Sequence, residues 1–243
     1  MASALLASAL RRLLPVHHLK DVKIFHKRLF MAAYENDSEW LYWLKARWPL
    51  ALGALVVMAW GCSSWNSRAV RHPAGVLAAG EPLQENLSEG SSWTAKDHRF
   101  KALANFHIRA RVLSTERYRF DRAAEISPVD LALGWGPMSD SAVLSKLSVS
   151  QSDRWFHWNA STLPLPMDVI VSHAANMHMI PATKTVERGL LNIREGQVAT
   201  LDGFLVHVDG KDGWKWNSSM TRDDAGDGAC EVIWVEKVSA ADQ

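Results

Sequence analysis

Cys230 is the first residue to consider for chemistry. Its thiol could serve as a nucleophile in a hydrolase or transferase if a base stood beside it, because the thiolate forms at neutral pH only with a neighbouring base or positive charge. His173, His178 and His207 are the histidines that could supply that base. Against catalysis, Cys230 alternates with Val232 and Trp234 on one face of an expected strand, with Glu231, Ile233 and Val235 on the other. In that position cysteine is expected to behave as a small hydrophobe.

His173 and His178 also invite a metal reading. A five-residue separation on a helix turns about 500°, leaving the imidazoles about 140° apart. No HExxH or CxxC occurs, so no metal site is expected and the two histidines read as polar anchors of the loop into Pro181. The acidic, glycine-rich run Arg222 to Gly228 resembles a calcium loop. Counted from Asp223, however, Ala225 falls at the third position and Trp234 at the twelfth, where an EF-hand needs ligands. A hairpin loop with Asp and Gly supplying the turn geometry is the simpler reading. If the region binds anything, Ser218, Ser219, Arg222 and Asp224 are its candidate groups.

Arg109, Arg111, Arg117, Arg119 and Arg122 alternate with apolar residues and can form a basic sheet face, with Trp155 and Trp158 as aromatic neighbours. Such a face can hold an anionic polymer through charge-assisted hydrogen bonds and stacking; the plainer alternative is a solvated face. The expected partner is an envelope protein or an anionic glycan or lipid rather than nucleic acid. The formal net charge of +1 advertises no polyanion, and there is no P-loop or dinucleotide fingerprint. No cofactor is expected.

These side chains need elements to position them, and the most prominent stretch is Trp48 to Trp65, WPLALGALVVMAWGCSSW. As a helix it is about 27 Å long, close to the hydrocarbon thickness of a bilayer. Trp40, Trp43, Trp48, Trp60 and Trp65 flank or end it, as interfacial indoles do. It is expected to be a single transmembrane helix. Eight Lys and Arg residues precede it and few follow closely, so residues 1–47 read as a basic cytoplasmic segment with an amphipathic helix. The bulk of the chain is then expected outside the membrane. Cys62, at the outer end of this span, matches a lipoprotein cleavage site only weakly.

Residues 66–97, rich in Ala, Gly, Ser, Glu and Pro, read as a flexible linker. Residues 98–243 are long enough for one domain with its own core. Phe106 to Leu113 and Glu116 to Arg122 read as strands. Ser127-Pro128 suggests a helix over Val129 to Leu133, and Ser139 or Asp140 a cap for another at Ser141 to Leu147. Gln151 to Trp158 reads as an aromatic strand or turn, followed by helices at Met167 to Asn176 and Thr183 to Ile193. Gln197 to Val208, Trp214 to Ser218 and Cys230 to Val238 complete the expected strands. The fold class is α+β: a small antiparallel sheet with short helical inserts, which can curl into an OB-like barrel.

The segments Ser127 to Asp140 (SPVDLALGWGPMSD), Ser150 to Trp155 (SQSDRW), His173 to Ala182 (HAANMHMIPA) and Trp214 to Glu236 (WKWNSSMTRDDAGDGACEVIWVE) resemble those of a group of uncharacterised bacterial proteins with one N-terminal membrane segment. The resemblance implies a bacterial inner membrane and attaches no activity. Together these readings describe a membrane-anchored periplasmic binding or assembly module of the cell envelope. The alternatives are an envelope hydrolase or transferase using a Cys/His pair, and a soluble cytoplasmic enzyme in which residues 48–65 form a core helix.

Overall fold

A computed structural model of the chain describes residues 47–58, 68–222, 226 and 228–242. The chain divides into two units, Met1–Asn66 and Ser67–Gln243. Within the first, residues 47–58 form an exposed helix. Among the described residues no helix is long and apolar enough to cross a membrane. The expected cytoplasmic segment up to Ala46 and the expected span from Ala59 to Trp65 lie outside the described residues.

The second unit is organised by β3, His98–Arg117, a strand of 20 residues. Its sequence explains its length. Phe100, Ala102, Ala104, Phe106, Ile108, Ala110 and Val112 are buried at every second position, which is the period of a strand with one face on a core. One edge of β3 pairs with β8 (Val198–Asp209) from Arg99 to Arg111. The other edge pairs in turn with β2 (Ser92–Ala95), β1 (Leu83–Asn86) and β4 (Val129–Gly134).

The remaining pairings close a circuit. β4 pairs with β7 (Ala174–Pro181), β7 with β10 (Glu231–Ala241), and β10 with β8, which returns to β3. All of these are antiparallel except β7 with β10, which is parallel. The expected antiparallel sheet is therefore mixed. The circuit encloses Ile108, Leu131, Leu133, Met177, Met179, Leu201, Leu205, Ile233 and Val235. The helix Lys184–Leu191, between β7 and β8, adds Val186 and Leu190 to the same core. Its Thr183 cap accepts from the Val186 N–H at 3.2 Å.

Three expectations are corrected by sheet packing. Val129 to Leu133 forms β4 rather than a helix, because both faces of this stretch are buried: Val129, Leu131 and Leu133 enter the enclosed core, while Ala132 packs outside it against Met138 and Ile170. The strand expected over Glu116 to Arg122 is the end of β3, which stops at Arg117. Met167–Ser172 is helical, but Ala174 onward is β7.

Residues 68–97, expected as a linker, carry β1 and β2 and a strap along the sheet. Val70 N–H donates to Glu195 O at 2.8 Å, Gly75 N–H to the Asp140 carboxylate at 2.8 Å and Gly136 N–H to Ala78 O at 2.7 Å. The gain is backbone pairing, which composition does not reveal. Between β4 and β7 the chain adds a hairpin, β5 (Ser148–Ser152) with β6 (Trp155–Asn159), as a separate two-stranded sheet. β9 (Lys215–Asn217) pairs with β8.

Candidate functional site

The most concentrated chemistry lies on the outer face of β4 and β7. Asp130 on β4 is in register with His178 on β7, so their side chains project from adjacent strands toward the same face. Asp130 is fully buried and His178 is 4% exposed. Asp130 Oδ2 stands 2.9 Å from His178 Nδ1. Neither atom makes an aligned hydrogen bond among the described residues, so this is a close electrostatic contact.

Arg154 reaches this pair from the tight β5–β6 turn, where Asp153 and Arg154 hold φ of 51° and 70°. Its Nη1 donates to Asp130 Oδ1 at 2.7 Å, and its Nη2 donates to the Asp121 carboxylate at 2.9 Å and 3.0 Å. The guanidinium carbon lies 3.7 Å from the centre of the Tyr118 ring. The backbone answers from both sides: Arg154 N–H donates to Tyr118 Oη at 3.0 Å, and Asn176 Nδ2 donates to Arg154 O at 2.9 Å. Burial pushes the Tyr118 phenol up to about 12, against the opposing pull of the Arg154 N–H.

Beside this cluster is a cavity of about 290 Å³ lined by Arg154, Trp155, His178, Trp216, Asn217 and Cys230, among others. The Trp216 ring is 4.7 Å from His178 and 5.7 Å from Trp214. An adjoining cavity of about 160 Å³ shares Trp155 and Cys230 and adds Asn176, Arg222 and Glu231. The half-buried Cys230 thiol lies 3.8 Å from Asn176 Nδ2.

Of the histidines considered for Cys230, only His178 shares this cavity. His173 sits 3.3 Å from Glu81 and bonds back to Val169 O, while His207 is held by Asn217 and by Asp209 at 3.0 Å. Trp155 lines both cavities; Trp158 lines the smaller one and packs against the Met138 and Ile170 cluster.

Four of the five arginines expected to make one basic face are engaged at separate places. Arg109 donates to Leu77 O at 2.8 Å. The buried Arg111 donates to Ser139 O at 3.1 Å and Ser141 Oγ at 2.7 Å. Arg117 reaches Leu191 O, Arg122 pairs with Asp212, and Arg119 is exposed.

Ser218 Oγ accepts from Val232 N–H at 3.1 Å and Ser219 N–H donates to Cys230 O at 3.0 Å, which ties the start of β10 in place. Arg222 pairs with the buried Glu231 at 2.8 Å. Asp224 lies outside the described residues. Among the described residues no group of three His, Cys, Asp or Glu side chains is placed to hold a metal ion.

Sequence reasoning missed Asp130, Arg154, Tyr118, Asn176 and Trp216. The only available signal was that Asp130 interrupts an otherwise apolar run, VDLALG, where a buried charge needs a partner. Comparison of the chain with protein-family models, curated proteins and solved structures gives no match.

Proposed function

We propose that the second unit is an OB-type barrel acting as a binding module, with its ligand on the outer face of β4 and β7. The five-strand circuit supports the fold. It runs first, second, third, fifth, fourth and back to first, has its single parallel pair between third and fifth, and carries a helix between third and fourth. OB barrels bind on the face of their second and third strands and the loops beside it. The observation that carries the functional reading is the cavity at that face, which combines Trp155 and Trp216 with Arg154, His178 and Asn217.

The proposal includes an anchor. Trp48 to Trp65 crosses the bacterial inner membrane and holds the barrel in the periplasm, where it serves binding or assembly at the envelope. Reporters active only in the cytoplasm or only in the periplasm, fused after Gln243 and combined with a carbonate wash of membranes, test this. Periplasmic signal with wash-resistant association is expected; cytoplasmic signal in the soluble fraction refutes it.

A second reading, an envelope hydrolase or transferase, is favoured by one observation. His178 lines the same cavity as Cys230 and contacts Asp130, the kind of carboxylate that orients a catalytic imidazole. This reading expects an activated thiol. Alkylation of Cys230 by iodoacetamide no faster than that of free cysteine, unchanged in His178→Gln, excludes it.

A further inference from the structure

We infer that the cavity beside Trp155 and Trp216 takes an uncharged saccharide, at the end of a chain or as a short oligomer. The inference rests on the binding reading above and names the ligand class of the same site.

Charge is the first argument. The cation at the cavity, Arg154, is already shared between the carboxylates of Asp130 and Asp121. Arg222, in the adjoining cavity, is paired with Glu231. A phosphate or carboxylate ligand would therefore find both arginines already neutralised by carboxylates. This reverses the anionic partner expected from the alternating arginines, which the fold distributes elsewhere.

Shape and surface are the second argument. Trp155 is 40% exposed, leaving part of a flat apolar ring for the C–H face of a sugar to stack on. The rest of the lining is polar and mixed in character. The Asn217 side-chain oxygen is used by His207, and the amide nitrogen remains a donor; the imidazole of His178 can donate or accept according to tautomer. Hydroxyl groups, each donor and acceptor, match such a lining where a charged group does not. At about 290 Å³ the cavity lies at the small end of ligand sites, which suits one or two sugar units and leaves the rest of a chain in solvent.

Tryptophan fluorescence of the full chain in detergent, titrated with the N-acetylglucosamine trimer, maltotriose and a heparin fragment, tests the assignment. Saturable quenching by at least one neutral oligosaccharide is expected. It should change less than twofold between 50 and 500 mM salt, weaken at least tenfold in Trp155→Ala and be largely retained in Trp155→Phe. Binding of the heparin fragment alone, lost in Trp155→Ala, overturns the ligand class and leaves the binding face intact. Saccharide binding equal in wild type and a folded Trp155→Ala places the site elsewhere and removes both readings. No response to any of the three overturns the saccharide assignment, while the fusion experiment above still decides the envelope setting.

Discussion

Asp130 and Arg154 lie 24 residues apart and meet at 2.7 Å, the carboxylate fully buried and the guanidinium side chain 16% exposed. This pair fastens the β5–β6 turn to β4. Removing one partner leaves a buried charge uncompensated, which costs about 3–5 kcal/mol, while removing both costs far less. Arg154→Met should therefore lower urea stability by about that amount, and adding Asp130→Asn should restore part of it. Equilibrium unfolding of both single variants and the double variant measures the coupling. Additive losses would mean that the pair does not hold the turn.

How far this arrangement can be read from sequence depends on the range of the interactions involved. Thr183 and the helix after it are legible because a cap and its partner lie three residues apart. Phe106 to Val112 and Ile233 with Val235 are legible because alternation is local. β4 is not, since VDLALG is buried on both faces and loses the period that would mark it as a strand. Of the site, Cys230, His178 and Trp155 stand out by residue type. Asp130, Arg154, Tyr118 and Trp216 become a group only through the registers of β4, β7 and two loops, and nothing in their spacing announces it.

Tyr118 gives the fold an alkaline limit. The folded state holds the phenolic proton to about 12, whereas an unfolded tyrosine releases it near 10. Between those values the folded state binds more protons, so this contribution to stability is complete below about pH 10 and is lost as pH rises through 12. Thermal unfolding should show a steep fall in midpoint over that window. In Tyr118→Phe the fall should be shallower; an identical slope would show that Tyr118 is not its source.

Gly196 should control the strap. It holds φ at +87°, and a Cβ there would meet the Val70 carbonyl oxygen at 1.9 Å. Gly196→Ala combines a left-handed conformation that costs about 1–3 kcal/mol with a backbone clash, and the least costly relief is to release Val70 from Glu195 and His72 from Gly196 O. Trypsin should then cut after Arg71 markedly faster while the barrel circular dichroism persists. Unchanged cleavage would mean that the strap is held by its other contacts, at Asp140 and Ser139.

The helix Lys184–Leu191 distinguishes packing from local propensity. Eight residues are too few for a stable isolated helix in water, so the segment must draw its stability from the core it covers. Leu190 is 1% exposed within that core, and Leu190→Ala should cost about 2–5 kcal/mol. Thr183→Ala, which removes only the cap bond to Val186, should cost about 1 kcal/mol. Denaturant unfolding of the two variants gives the ratio directly. A cap variant as damaging as the core variant would mean that the helix is held by its own end rather than by the barrel beneath it.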